Sequence, residues 1–262
     1  MSAIILEREV IHYEVLGRGR PLILIHGWVG SWRYWIPVMQ AASVSFRAYA
    51  LDLWGFGDSA RKPDSYALEN QAAMLDGFMD EMGMGRVALV GHGLGALIAL
   101  SFAASHPDIV DRVMAVSCPM EEASLNARLR SSPPTALADW LLDRTPASEP
   151  ARSDAAKTDP LAVQTSFAGL DQVNFKTLWT SSCPSCLLVH GEKDPAVLSP
   201  TAEQATNFPE KTHSILFEEA GHFPMLDTGS SFNRLLADFL NLTSGESPRD
   251  LQLKDEWKRR VR

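Results

Sequence analysis

Cysteine is scarce in this chain, with only Cys118, Cys183 and Cys186 among 262 residues. Three cysteines cannot build a disulfide framework for a chain of this length, which excludes the class of small disulfide-stapled secreted domains. The first ten residues carry Glu7 and Glu9 but no basic segment, so they do not match a secretory signal peptide. These absences predict a soluble, cytoplasmic protein.

The chain also lacks a hydrophobic run long enough to cross a membrane. The longest uncharged run, 87–105, contains His92 and three glycines, whereas a spanning helix needs about 20 largely apolar residues. Basic residues number 24 and acidic residues 32, which gives a net charge of −8. An acidic chain is disfavoured as a binder of nucleic acid phosphates. We therefore expect no membrane span and no nucleic-acid partner.

Short apolar segments alternate with amphipathic ones through most of the sequence. Runs dense in branched residues predict strands at 10–16, 22–25, 47–51, 86–90, 113–116, 186–190 and 214–217. Apolar residues at helical spacing predict helices at 66–82, 96–105 and 232–240. Uniformly apolar short strands between helices are typical of a parallel sheet that is covered on both faces.

The pattern changes between residues 119 and 182. This stretch shows no clear strand and contains six prolines, with helix-compatible pieces at 136–144 and 161–170. We expect one domain at 1–243, with an α/β core at 1–118 and 183–243 and a helical insertion at 119–182. Residues 244–262 carry 10 charged side chains in 19 positions, which predicts a flexible tail.

Four polar, glycine-containing loops follow predicted strands. Their sequences are HGW from His26, DLWGFGDS from Asp52, GHGLG from Gly91, and the pair GEKDP from Gly191 and AGHFPM from Ala220. An open parallel sheet places its ligand site at the carboxyl ends of its strands. These loops therefore mark the expected site.

In their order and spacing, the four loops resemble those of the α/β-hydrolase superfamily, in the branch of small capped esterases and related lyases. The resemblance covers about residues 10–242. It implies an α/β fold with a mostly parallel eight-stranded sheet, helices on both faces, and residues 119–182 as a helical cap over the pocket. It also implies that Asp194 is the catalytic acid and His222 the catalytic histidine, with the backbone N–H groups of Trp28 and Leu94 as oxyanion donors.

The implied residues suit proton transfer at a carbonyl group. A buried carboxylate fixes the tautomer of a neighbouring imidazole and stabilises the imidazolium that forms. Two convergent amides can hold the negative charge that develops on a carbonyl oxygen. The resemblance implies no metal and no organic cofactor, and it implies a small apolar molecule as substrate or ligand.

The sequence departs from the family at the nucleophile. The family's elbow reads G-x-S-x-G, whereas the middle position here is Gly93, which has no hydroxyl and cannot form an acyl-enzyme. Glycine does tolerate the strained turn that the elbow requires. The sequence therefore predicts an ester-hydrolase-like scaffold that has the base, the acid and the oxyanion donors but lacks the nucleophile.

Three explanations of Gly93 stay open at this stage. In the first, His222 and Asp194 activate a water molecule, or a C–H or O–H group of the substrate, by general-base catalysis. In the second, the protein is non-hydrolytic and acts as a lyase, a ligand-binding protein or a sensor. In the third, glycine is an engineered replacement. No motif in 119–182 identifies the substrate-binding residues.

Two shorter patterns favour structural roles. Residues 91–96 match the dinucleotide fingerprint G-x-G-x-x-A, but no carboxylate ends the next predicted strand, 113–116. Cys183 and Cys186 have C-x-x-C spacing but lead into a strand, where residues three apart point to opposite faces. Neither pattern predicts nucleotide, redox or metal chemistry.

Several other residues near the loops receive structural interpretations. His26 is expected to hydrogen-bond its own loop, and His92 to pack beside the elbow. Asp52 and Asp58 are expected to bind local backbone amides. A group of tryptophans either lines an apolar acyl site or packs the core, namely Trp28, Trp32, Trp35 and Trp54. Three histidines without a motif are expected at the surface or at helix ends, namely His12, His106 and His213.

Overall fold

One eight-stranded sheet organises the molecule, in the strand order β1-β2-β4-β3-β5-β6-β7-β8. The computed structural model describes residues 2–170, 173–178, 184–244 and 246–253. The strands are β1 Ser2–Leu6, β2 Glu9–Gly17, β3 Arg20–Ile25, β4 Phe46–Leu51, β5 Val87–His92, β6 Val110–Val116, β7 Ser185–Gly191 and β8 Thr212–Phe217.

The sheet is mostly parallel, as predicted. Strands β1 and β2 are antiparallel to each other, and β2 is antiparallel to β4. All pairs from β4 through β3 and β5 to β8 are parallel. Strands β5 and β7 are buried along their whole length, which explains their continuous apolar sequences. Strand β1 was not predicted, because this edge strand alternates between exposed and half-buried residues.

Eleven α-helices occur among the described residues. They are α1 Ile36–Ala42, α2 Leu68–Glu81, α3 Leu94–Ser105, α4 Arg128–Ser131, α5 Pro134–Leu141, α6 Glu149–Ala155, α7 Pro160–Ala168, α8 Phe175–Leu178, α9 Ala202–Thr206, α10 Pro224–Asp227 and α11 Gly229–Leu240. Helix α1 packs against α11 and helix α2 against α3, so that helices cover both faces of the sheet. No described helix has the length and apolar character needed to cross a membrane.

The periodic helices form where their apolar residues predicted them. In α11 the buried residues are Phe232, Leu235, Leu236, Phe239 and Leu240, which lie on one face at the helical spacing. Helix α3 is different, since nearly all of its residues are buried. It crosses the centre of the sheet against β5 and β6, and it is therefore apolar all around.

The described part of the segment between β6 and β7 consists of short helices and connecting loops. It contains helices α4 to α8, and its described residues form no strand beyond an isolated bridge from Leu125 to Val197. Prolines stand at the first turns of α5, α6 and α7, where a missing backbone N–H costs nothing. Three of the six prolines of this segment, Pro134, Pro150 and Pro160, therefore lie at the beginnings of helices.

We expected a flexible tail from residue 244, but residues 246–253 are ordered against the core. Pro248–Leu253 forms a 3-10 helix that packs against β7, β8 and α11, and Leu251 is fully buried. The Ser185 hydroxyl donates to the Glu246 carbonyl at 2.7 Å. Charge density is misleading here, because the buried Pro248 and Leu251 and hydrogen bonds to neighbouring loops hold this charged segment. Residues 254–262, with the basic end of the tail, lie outside the described residues.

Candidate active site

The turn from β5 into α3 has the strained geometry of an elbow. Gly93 connects the two elements with φ +51° and ψ −111°, in the left-handed half of backbone space that favours glycine. Its N–H donates to the Val116 carbonyl at 2.9 Å, and its carbonyl accepts from the N–H of Ala96. The elbow backbone is therefore held on both sides.

The three glycines of this turn differ in the space around them. A Cβ atom on Gly91 would lie 2.1 Å from the Gly95 carbonyl oxygen, and one on Gly95 would lie 2.4 Å from the Ile25 carbonyl oxygen. A Cβ atom on Gly93 would lie 3.1 Å from atoms of the Trp28 ring, and the next nearest atom, Gly27 Cα, would be 3.7 Å away. Close packing against backbone thus requires glycine at 91 and 95, whereas at 93 the positive φ and a tight contact with the Trp28 ring favour it.

Asp194 and His222 form a direct, buried pair. His222 Nδ1 lies 2.8 Å from Asp194 Oδ2, while Asp194 Oδ1 accepts from the N–H groups of Ala196 at 2.8 Å and Val197 at 3.1 Å. Burial by itself would raise the pKa of the Asp194 carboxyl, but the facing His222 and the two amides outweigh it and leave that pKa lowered. Ionised Asp194 therefore accepts a hydrogen bond from the Nδ1–H of His222, which leaves the Nε2 lone pair of His222 available as a base.

The backbone of His222 is fixed from two other strands. Its carbonyl accepts from Ser117 Oγ and from His92 Nε2, each at 2.9 Å. Ser117 follows β6 with φ +45°, a conformation that is uncommon for a residue with a side chain. The His92 and His222 rings lie 4.7 Å apart between centroids. The loop that carries His222 is thus bound to the ends of both β5 and β6.

Two backbone amides face no partner beside the elbow. Leu94 is the first residue of α3, where an N–H has no intrahelical acceptor. Neither this amide nor that of Trp28 donates to a group among the described residues. The amino end of α3 adds a positive partial charge. The surroundings therefore suit a negatively charged oxygen.

The Trp28 side chain lies between the elbow and the helical segment. Its indole Nε1–H donates to Ser166 Oγ at 3.0 Å, and its ring stacks on Phe167 at 4.7 Å with 14° between the planes. Both partners belong to α7. Trp28 thus connects Gly93 with α7, while the other three tryptophans of the predicted group have no such contact with the elbow in the described structure.

Three further histidines are buried at strand ends and hold loops by hydrogen bonds. His26 Nδ1 lies 2.8 Å from the Gly27 carbonyl, and its Nε2 accepts from the Leu53 N–H at 3.0 Å. His190 Nε2 lies 2.9 Å from the Cys118 carbonyl. Because burial lowers the pKa of His26, His92 and His190, all three are neutral at pH 7. The expected structural role of His26 is confirmed.

The loop after β4 is built around Asp52. Its two oxygens accept from the N–H groups of Trp32 and Asp58, each at 2.9 Å, and His12 Nδ1 lies 2.9 Å from Oδ2. This arrangement confirms the expected loop-holding role of Asp52. Asp58 instead pairs through its side chain with Arg33 and Lys157.

The structure corrects the expected positions of two histidines. His12 and His213 are 3% and 7% exposed, so neither is a surface residue. His12, Asp52 and Asp58 bring potential metal-ligating atoms within 4.8 Å of one another. The carboxylates of this group already accept from amides, Arg33 and Lys157, which accounts for the cluster by protein contacts alone.

Sequence reasoning missed three side chains that organise the site. Tyr34, Ser117 and Asp154 belong to no motif, and each acts on a partner far away in the chain. Cys183, one half of the C-x-x-C spacing, lies outside the described residues, while Cys186 is a buried residue of β7. The predicted Asp194, His222, Gly93, Trp28 and Leu94 all lie at the carboxyl-end edge of the sheet.

Comparison with protein families gives a match over half of the chain. The model described as "alpha/beta hydrolase fold" matches residues 20–154. A 2-hydroxy-6-oxo-2,4-heptadienoate hydrolase of Pseudomonas putida is 28% identical over 251 residues, with 86% of this chain and 90% of the relative covered. A pimeloyl-[acyl-carrier protein] methyl ester esterase of Vibrio cholerae is 24% identical, with 87% and 97% covered.

Other relatives match over shorter stretches. A soluble epoxide hydrolase of Corynebacterium sp. is 34% identical over 103 residues, and the match spans only 36% of that relative's length. Among solved structures, an N-acyl homoserine lactonase variant with bound N-hexanoyl homoserine superposes with a TM-score of 0.81 at 21% identity, covering 94% of this chain and 98% of that one. A serine-to-glycine variant of the same lactonase, with N-hexanoyl homoserine lactone, gives 0.76 at 22% identity, covering 91% and 96%.

Proposed function

Since the chain belongs to the alpha/beta hydrolase fold family, we propose that it acts on a small apolar carbonyl compound by general-base catalysis without a covalent nucleophile. The observation that carries this proposal is the 2.8 Å contact between His222 Nδ1 and Asp194 Oδ2. The pair is intact beside an elbow that has glycine where a nucleophile would stand. A buried and ionised acid has little use beside a histidine unless that histidine takes up a proton.

The proposed ester hydrolysis proceeds through water. His222 Nε2 takes a proton from a water molecule, whose oxygen adds to the ester carbonyl carbon. The amides of Trp28 and Leu94 hold the resulting oxyanion. The intermediate then collapses, the alkoxide leaves with the proton from the imidazolium, and the acid and alcohol are released. Asp194 keeps the imidazole in the required tautomer throughout.

The same groups would also serve a non-hydrolytic reaction. His222 can remove a C–H or O–H proton from a bound substrate while the two amides stabilise the enolate or alkoxide that forms. The names of two relatives, a methyl ester esterase and a 2-hydroxy-6-oxo-2,4-heptadienoate hydrolase, both include a carbonyl compound and support a carbonyl substrate. In this proposal the helical residues 119–182 form a cap on a core of 1–118 and 183–243, since Trp28 binds α7 and Ser31 binds Asp154 of α6.

A second candidate function is ligand binding or sensing without turnover. One observation favours it, namely the position of the Trp28 ring against Gly93 and under α7. The ring occupies the side of the elbow from which a nucleophile would act. In this alternative a ligand contacts Trp28, and α7 reports its presence through Ser166 and Phe167.

Hydrolysis of a short p-nitrophenyl ester tests the first function against the second. We expect the natural chain to release p-nitrophenol above the uncatalysed rate and His222→Ala to lose that excess. Gly93→Ser should gain at least about tenfold, because removal of a nucleophile from an intact triad costs several orders of magnitude. Combining Gly93→Ser with His222→Ala should abolish the gain.

The matched control is His106→Ala, which removes a partly exposed imidazole that packs on Phe102, away from the elbow. A natural chain whose rate is unchanged by His222→Ala would contradict general-base catalysis. Gain of activity in Gly93→Ser together with an inactive natural chain would favour the binding function, because the site would then be complete apart from its nucleophile.

A further inference from the structure

Two buried side chains connect the oxyanion loop with the loop of His222. The Gly27 N–H donates to the Tyr34 hydroxyl at 2.8 Å, and this hydroxyl lies 2.9 Å from His92 Nδ1. His92 Nε2 in turn lies 2.9 Å from the His222 carbonyl oxygen. Tyr34 and His92 are 1% and 0% exposed. No motif assigns a role to this chain of hydrogen bonds.

The hydrogen bonds of this chain all have the same direction of donation, from Gly27 towards His222. A carbonyl oxygen only accepts, so the ring proton of His92 is on Nε2. Burial lowers the pKa of His92 well below its usual value, so the ring is neutral and Nδ1 carries a lone pair. Tyr34 must then donate its hydroxyl proton to Nδ1 while accepting from Gly27. Burial raises the pKa of Tyr34, so the phenol keeps this proton.

His92 stands at the meeting point of the catalytic loops. It directly precedes Gly93, and a Cβ atom on Gly27 would lie 2.9 Å from its Nδ1, so the oxyanion loop approaches it as closely as glycine permits. Its ring also packs on Phe223, the residue after His222, at 4.6 Å. Tyr34 packs edge-on against the same Phe223 at 5.4 Å. The pair therefore touches three of the four loops that the proposed mechanism uses, namely the oxyanion loop, the elbow and the loop of His222.

We propose that Tyr34 and His92 are positioning residues, whose hydrogen-bond chain from the Gly27 N–H to the His222 carbonyl sets the distance between the oxyanion amides and His222 Nε2. This inference rests on the proposed function of His222. The adjacent Trp28 amide and the His222 ring belong to different loops, and the chain is the direct link between them. A shift of either loop by about 1 Å would misplace the base relative to the carbonyl.

Removal of the Tyr34 hydroxyl tests the chain with little change in shape. In the Gly93→Ser background, Tyr34→Phe should lower kcat for a p-nitrophenyl ester by about 10- to 100-fold, while KM changes less than about twofold. The matched control is Tyr66→Phe, which removes another buried phenol hydroxyl, bonded to Asp159 at 2.8 Å. A structural role alone would make the two variants equal, and that result would overturn the proposal.

Substitution of His92 tests the other half of the chain. His92→Gln keeps a donor for the His222 carbonyl and an acceptor for Tyr34, whereas His92→Leu removes both. We expect His92→Gln to keep a severalfold higher kcat than His92→Leu at equal KM. Equal kcat values in the two folded variants would contradict a positioning role, and so would a loss that appears only in KM.

A spectroscopic measurement separates this inference from the proposed function. If neither the chain with Gly93 nor Gly93→Ser turns over an ester, the proposed function fails on that result, and the hydrogen-bond chain is then measured in the protein with Gly93 by 15N NMR of the histidine rings. The expected result is a protonated Nε2 and an accepting Nδ1 in His92, with Nδ1 shifted by Tyr34→Phe but not by Tyr66→Phe. An Nδ1 resonance that Tyr34→Phe leaves unmoved would overturn the inference.

Discussion

Single residues at the elbow carry different constraints although all three are glycine. Gly91 and Gly95 pack against backbone carbonyl oxygens at distances that leave no room for a Cβ atom. A Cβ atom on Gly93 would instead lie 3.1 Å from the Trp28 ring, a side chain that has to shift by only a few tenths of an ångström, and the positive φ of Gly93 adds a second penalty. The position that departs from the family's motif is therefore also the position at which a side chain can be tolerated.

This difference predicts unequal effects of alanine at the three positions. Gly93→Ala should cost about 1–3 kcal/mol of unfolding free energy, because it places a side chain at a sparsely populated φ/ψ and against the Trp28 ring. Gly95→Ala should cost at least about 3 kcal/mol, because its methyl group would displace the backbone of β3 as well as strain the turn. Urea unfolding of the two variants measures the difference. Equal losses would show that the space around the glycines does not decide their tolerance.

The sequence could predict the residues of the site that belong to motifs, and no others. Asp194 and His222 were predicted from their loops, and the structure brings them into contact. Tyr34 could not be predicted, since its partners Gly27 and His92 are joined to it only by the folded loops. His12 was misassigned for the same reason, because its burial depends on Asp52, 40 residues away.

At the scale of secondary structure elements, helix α6 is held on the core by one acidic side chain. Asp154 accepts from Ser31 Oγ and Arg33 of the loop after β3, and from Lys157 at 3.2 Å within its own segment. Only 5% of its side chain is exposed. A buried carboxylate of this kind is costly to leave without its partners, which makes it a point of attachment for the whole helical segment.

Neutralisation of Asp154 should therefore loosen the helices selectively. Asp154→Asn is expected to cost about 1–3 kcal/mol, as for other buried hydrogen bonds to charged groups, and to speed amide hydrogen exchange in α6 and α7 more than in β5. The control is Asp139→Asn in α5, whose carboxylate pairs with Arg144 and Arg152 but is itself 56% exposed, so that its neutralisation should matter less. Uniform acceleration across the sheet would contradict a local attachment.

Elements with a strong apolar period were predictable, and elements held by single contacts were not. Helix α11 follows from five apolar residues at helical spacing. The 3-10 helix Pro248–Leu253 has no such period, and it is held by the buried Pro248 and Leu251 and by hydrogen bonds such as that of Ser247 Oγ to the Glu210 carbonyl. A sequence pattern records repeated burial along one face, so it misses a segment that a few separate contacts hold in place.

At the scale of the whole molecule, buried histidines make folding sensitive to acid. Burial lowers the pKa of His26, His92 and His190, and it lowers that of His213 to about 4. In the unfolded chain each returns to about 6.5. Below pH 6.5 the unfolded state therefore binds more protons than the folded state, and the folded state loses stability as the pH falls.

The free energy of unfolding should accordingly be nearly constant above pH 7 and fall between pH 6.5 and 5. Urea unfolding at a series of pH values measures this slope. His213→Gln should reduce the slope of the unfolding free energy against pH by up to about 1.4 kcal/mol per pH unit, because unfolding then takes up at most one proton fewer. A free energy that is flat between pH 6.5 and 5 would contradict the neutral state of these rings.

The place of the helical segment in the chain order has a consequence for synthesis on the ribosome. Strand β6 ends at Val116, and its parallel neighbour β7 begins only at Ser185. At 5–20 residues per second, the 68 intervening residues take about 3–14 s to emerge. For that time the nascent sheet presents the unpaired edge of a buried apolar strand, which is the kind of surface that pairs with other chains. Aggregation during translation, and binding of chaperones that recognise extended apolar segments, should therefore occur mainly while residues 117–184 are being synthesised.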